Sequence, residues 1–212
     1  MYNEHISFNN KIYDKKGIKM FLLNLRNQTK SYHDSLEHHL LNQRLFSPNF
    51  IIEDYINFID LQYCIWKSVE EKINPYKSLL QEKYNINLIS RASDAFEELK
   101  YLNKTPSRLD FKIPIDDDLC SCLSLLYILE GSRHGAIVIL KKVKEYMPKE
   151  HQFYFLNTDI DTFVEKWNFI VKAIESLNED SLEKQEKFIN NVNLLYTSMQ
   201  RFYDEYSAIS AN

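Results

Sequence analysis

Residues Leu125-Leu126-Tyr127-Ile128-Leu129-Glu130-Gly131-Ser132-Arg133-His134-Gly135-Ala136 carry two of the chain's three glycines, four positions apart, inside a strongly apolar helical segment. A glycine in a helix interior costs about 1 kcal/mol relative to alanine, so the pair costs roughly 2 kcal/mol. A spacing of four puts both on one face, about 6 Å apart along the axis. Two uses fit a helix face stripped of side chains. Another helix can pack closely through a small-residue groove, or a flat ligand can lie against the backbone. The glycines also permit a bend, since sharp kinks occur at Gly and Ser positions.

Outward from this segment the helical pattern continues from Asp117 to Met147, where Pro148 closes it. With only three Gly and five Pro in 212 residues, the chain lacks the punctuation a turn-rich β protein needs. Leu22, Leu25, Thr29, Tyr32, His33, Leu36 and Leu40 recur at three- and four-residue steps, which predicts a first helix from Met20 to Leu41. A second is expected over Ile52–Ile73, with Tyr55, Phe58, Ile59, Tyr63, Trp66 and Val69 inward, ended by Asn74-Pro75. Ser90 reads as the N-cap of a third reaching Leu102. Two more follow, over Asp159–Leu177 and Ser181–Ile209. The expected fold is all-α: a single-domain helical bundle of six to seven helices over residues 20–212, preceded by a loosely ordered Asn- and Lys-rich extension over residues 1–19.

Composition narrows the function. Apolar residues make up 44% and aromatics 14%, enough for a core and for walls around a flat ligand. The net charge of −4 comes with no basic stripe, which argues against nucleic acid. No window approaches 18 uncharged apolar residues, so no membrane span is expected. Cys64, Cys120 and Cys122 form no zinc-like pair and read as buried, reduced thiols, which points to a cytoplasmic setting.

His33 lies on the edge of the first helix's apolar stripe, with Thr29 one turn before it and Glu37 one turn after. A lone histidine there is ordinarily a satisfied core residue. An imidazole that binds a metal, however, needs a partner on its second nitrogen, and Glu37 at i+4 is within reach. Arg26 and Lys30 lie a turn apart near the same edge. They fit either a solvated face or the two carboxylates of a ligand held over His33.

These residues carry a resemblance. Leu25-Arg26-Asn27-Gln28-Thr29-Lys30-Ser31-Tyr32-His33-Asp34-Ser35-Leu36-Glu37 resembles the L-R/K-x-x-T-x-x-x-H-x-x-x-E signature of the haem oxygenase family. Leu126 to Gly135 resembles the distal-helix motif L-Y-V/I-L-E-G-S-x-x-G of its bacterial members. The resemblance implies haem b, substrate and cofactor together, held between the first helix and a kinked distal helix. His33 matches the axial ligand of the haem iron and Glu37 its hydrogen-bonding partner. Thr29, Arg26 and Lys30 fall in the haem-binding stretch, the two cations where propionates are met. Gly131 and Gly135 match the distal glycines. Ser132 stands where many animal-type members carry an aspartate that organises water, an aspartate that bacterial members with the Gly-Ser pattern also lack.

His134, about 60° round the helix from Gly131, could bond distal water, act as a second axial ligand, or face solvent. Lys166 and Lys172 are candidates for a further propionate contact. The activity implied is cleavage of haem to biliverdin, carbon monoxide and ferrous iron. It uses O2 and electrons from a ferredoxin, a flavodoxin or a reductase. The alternatives are a haem-binding or haem-sensing protein without turnover, which a second axial ligand from His134 would favour, and a relative using a thiamin-like substrate or a non-haem metal, the latter held by the pairs His33/Glu37 and Glu130/His134.

Overall fold

The computed structural model describes residues 19–157, 159–178 and 181–210. The expected N-terminal extension therefore lies outside the described residues, except for its last position. Helix α1 spans Lys19–Glu37 and buries Leu22, Leu25 and Thr29 at steps of three and four. Its stripe runs out of core at the next step, so His33 is left half exposed. His39 then caps a five-residue helix α2, Leu40–Arg44, by accepting from the Leu41 amide at 3.3 Å.

Helix α3, Ile52–Ile73, is the central element, with Tyr55, Phe58, Ile59, Trp66 and Val69 buried as expected and Tyr63 half-buried. Asp54 fixes its start by accepting from the Ile51 amide at 3.0 Å. A 3-10 turn at Asn74–Tyr76 leads into a helix absent from the sequence reading, α4, Lys77–Tyr84. Asn85 stops it in the left-handed region at φ 55°. Helix α5, Arg91–Tyr101, has Ser90 as its N-cap, accepting from the Ser93 amide at 2.9 Å, and packs along α3.

Helix α6, Leu119–Val143, begins at Asp118, whose carboxylate accepts from the Ser121 amide at 2.8 Å. It runs unbroken through both glycines, neither of which has a positive φ. Helices α7, Ile160–Asn178, and α8, Leu182–Ser210, complete the bundle. No strand occurs among the described residues, and the all-α expectation holds.

By length and composition α6 is the one described helix apolar enough to cross a membrane, which the sequence reading had not recognised. Half of its most apolar window is nevertheless buried inside the bundle, against α7 and α8. Helix α1 packs on α8, and so does α6, while α1 and α6 scarcely touch each other. This arrangement sets the histidine helix and the glycine helix on a common support, α8.

Candidate functional site

The support is Tyr196 of α8. Its buried ring meets the His33 imidazole edge-on, with ring centroids 5.6 Å apart. Burial first, then the Tyr127 hydroxyl of α6 and Glu37 of α1, raise the Tyr196 phenol well above its ordinary range, so it stays neutral. His33 and the α6 turn that leads into Gly131 therefore flank one tyrosine. On the other side of His33, Nδ1 lies 3.6 Å from a Glu37 carboxylate oxygen. Among the described residues no hydrogen bond reaches its Nε2. This is not a satisfied core histidine: nearly half of its side chain (47%) faces solvent.

Around the histidine, Thr29 is buried and donates its hydroxyl to the Leu25 carbonyl at 2.9 Å. It holds α1 against the core one turn below His33. Arg26 is exposed, and Lys30 is exposed and paired with Asp34. Ligand atoms of His33, Asp34 and Glu37 lie within 4.8 Å of one another.

On α6 the two uses of the glycines can be told apart. A Cβ built at Gly131 would meet the Trp167 ring at 3.8 Å, an ordinary contact, and one built at Gly135 would meet nothing within 4 Å. Neither glycine is needed for helix packing, and neither is needed for backbone conformation. Past Gly131 the helix also loses cover. Residues 120–126 are all buried, whereas Ser132, Gly135, Ile137, Val138, Ile139 and Leu140 are only half-buried. On the face that carries Gly135, Val138 and Ile139 follow at the next turn and are likewise half-buried.

Behind this face stands α7. The Trp167 ring lies against Gly131, and the His134 ring packs edge-on against Phe163 at 4.6 Å and Trp167 at 6.1 Å. His134 therefore turns toward α7, and the expectation of a solvent-facing side chain is corrected; the wheel angle was right, but α7 occupies that direction. Ser132 donates its hydroxyl to the Leu129 carbonyl at 2.8 Å, leaving its oxygen lone pairs to accept.

Lys166 also departs from expectation. Rather than reaching out to a ligand, it is buried and donates to Glu130 at 2.6 Å, while Arg133 Nε donates to the other carboxylate oxygen at 2.7 Å. Burial pulls the Lys166 ammonium below its ordinary range, and Glu130 opposes that pull. Glu130 is thereby committed to two cations and cannot share a metal with His134. Lys172 sits on the exposed side of α7, 5.8 Å from the Phe169 ring centre.

Sequence reasoning missed Tyr196, Trp167 and the buried role of Lys166. Only Lys166 left a signal: Phe163, Lys166 and Ile170 recur at helical spacing on one face, so its neighbours in the pattern are buried. Tyr196 and Trp167 look like any other aromatic on an apolar stripe.

No family model and no curated protein matches the chain. Two solved structures share its fold. The NO- and CO-bound haem oxygenase from Neisseria meningitidis superposes with a TM-score of 0.68 at 23% identity, covering 88% of this chain and 91% of that one. The haem oxygenase from Leptospira interrogans superposes with a TM-score of 0.68 at 14% identity, covering 87% and 98%. The chain shares the fold of these two haem oxygenases, the fold that the sequence motifs implied.

Proposed function

Starting from the haem oxygenase fold, we propose that this chain binds haem b between α1 and α6 and cleaves it to biliverdin, carbon monoxide and ferrous iron. One observation carries the reading: Gly131 and Gly135 serve neither packing nor backbone conformation, yet both are only half-buried, and Gly135 has open space where its side chain would be. Two costly helix glycines with no use inside the fold are explained by a flat partner outside it.

The residues fit that group. Haem needs an imidazole with a bare nitrogen, a partner for the other nitrogen, an apolar wall and cations for its carboxylates. His33 offers Nε2 and Glu37 stands beside Nδ1. The half-buried Val138 and Ile139, one turn past Gly135 on the same face, and the glycine turn offer the wall. Arg26 and Lys30 are exposed a turn apart on the His33 helix, and Lys30 would exchange Asp34 for a propionate. The 14 tyrosines and 13 phenylalanines of the chain make an aromatic lining unsurprising.

When bound, haem supplies both the iron that activates O2 and the porphyrin that is consumed. The chain's own contribution is positional. His33, held edge-on by Tyr196 and from the side by Glu37, sets the ligand's height and tilt. Gly135, and to a lesser degree Gly131 beside Trp167, would leave room for a small molecule next to the bound group. Ser132, with its hydroxyl proton given to Leu129, can accept a hydrogen bond from water entering that space. No residue is required to act as a general base, consistent with the absence of a carboxylate at position 132. Electrons come from a ferredoxin, a flavodoxin or a reductase. Three buried thiols support the reducing, cytoplasmic setting in which such donors work.

The test is anaerobic titration of the purified protein with haem, then addition of oxygen and reductant. A histidine-ligated Soret band that decays to biliverdin absorbance is expected. A Soret band that persists under reductant and oxygen would overturn the enzymatic reading.

A further inference from the structure

A buried ion pair is an unusual way to join two helices, because an apolar pair of the same volume holds them as well or better. Here Glu130 has no exposed surface, and its carboxylate takes Arg133 from its own helix and Lys166 from α7. The pair sits at a specific place, since Glu130 immediately precedes Gly131. The contacts of Trp167 with Gly131, and of Phe163 and Trp167 with His134, fall on the same turn. One turn of α6, residues 130–134, is therefore fastened to one turn of α7, residues 163–167. This is also the stretch that two glycines make softest, since they remove side-chain packing and lower helix propensity. Hydrophobic contact is non-directional and lets a soft turn slide, whereas a carboxylate gripped at both oxygens fixes distance and orientation.

We propose that Lys166 and Glu130 are positioning residues: their buried bond locks the glycine turn of α6 against α7 and so sets its height relative to α1. The inference deepens the proposed function, because that height is what a haem beneath the turn would meet. Its mechanical part, however, stands without haem. Lys166 acts through Glu130 and the backbone, with no contact of its own to the ligand.

Lys166→Met isolates the tether, because Glu130 keeps Arg133 as a partner and no charge is left alone on α6. In the haem-free variant, hydrogen exchange at the amides of residues 131–136 should accelerate by about tenfold or more, the loss expected for one charge-assisted hydrogen bond. Amides of α3 should be unaffected. Exchange that is unchanged across 131–136, or faster uniformly over the whole molecule, would overturn the proposal, since the second result marks a merely structural residue. Should Lys166→Met not fold, Lys166→Gln, which can still donate to Glu130, is read by the same criterion with a smaller acceleration. In the haem-loaded protein the expected companion result is faster haem loss with His33 ligation intact. If no Soret band forms in either protein, the functional reading fails while the exchange result still decides this one.

Discussion

Replacing Gly135 with alanine should make the haem-free protein more stable and a worse haem protein. The first half follows from helix propensity. Alanine is favoured over glycine by about 1 kcal/mol in a helix interior, and here the added Cβ meets nothing within 4 Å that would offset the gain. For a chain of this size 1 kcal/mol corresponds to a rise of roughly 2–4 °C in Tm. The second half follows from what the bare face is for. A methyl group facing a flat ligand must push it away or tilt it on His33, and overpacking of that kind costs about 1–3 kcal/mol. That corresponds to roughly a five- to 150-fold loss in haem affinity. Thermal melts of the haem-free variant and a Soret titration in competition with a second haem binder measure the two quantities. A fall in Tm would mean that the fold needs the glycine after all. A rise in Tm with haem affinity unchanged would be the more damaging result, because it would leave Gly135 without the ligand that explains it. Gly131→Ala should behave alike but with a smaller loss, since part of its added methyl rests on Trp167.

Other consequences can be checked separately. His33→Ala should abolish the histidine-ligated Soret band while shifting the haem-free Tm by no more than about 0.5 kcal/mol equivalent, because the side chain is half exposed. A band that survives would move the ligand elsewhere. Burial pushes the thiols of Cys64 and Cys122 up to about 12 and that of Cys120 up to about 11. At pH 8 none should react quickly with a disulfide reagent until the protein is unfolded, whereupon all three should. Asp118→Ala should lower Tm at pH 7 by roughly 2–4 °C, the equivalent of about 1 kcal/mol for a lost N-cap. Burial pushes the Asp118 carboxyl up, but Lys187 and the Ser121 amide outweigh it and hold it below its ordinary value. Its contribution is therefore present above about pH 3.9, the unfolded value, and is lost as the pH falls below that. The gap between variant and parent should narrow in acid, and a gap independent of pH would refute the charge argument.

The six long helices were legible because each buries a stripe at regular spacing, α1 through Leu22, Leu25 and Thr29, α3 through Tyr55 to Val69. The short α4 was not, since among its eight residues only Leu80 is buried, and one residue makes no period. The site divides in the same way. Gly131, Gly135 and His33, the residues proposed to meet the ligand with their own backbone or ring, stand out in the sequence by breaking a local pattern. Residues that act through what packs on them did not. His134 was placed correctly on the helix wheel, but which helix lies 60° away is a tertiary fact. Lys166 misled because a lysine is ordinarily solvated, and only its partner Glu130, 36 positions earlier, explains its burial.

These departures from ordinary sequence rules converge on α6, and their coincidence is itself an argument. Two glycines weaken the helix, a carboxylate with two cations is buried beside them, and apolar residues 137–140 are left half-covered. Each is unfavourable for a bundle that only has to fold, and each lies within three turns of the others. Local conflicts of this kind are expected at functional sites, where the fold gives up stability for a surface that something else completes. The three are also mechanically complementary. The glycines open the face, the Glu130–Lys166 bond keeps the opened turn from drifting, and the half-covered apolar residues offer area for a ligand to bury. Remove the ligand from this account and the bond holds rigid a turn that nothing uses. Remove the bond, and the glycines sit on a turn too soft to define a binding face.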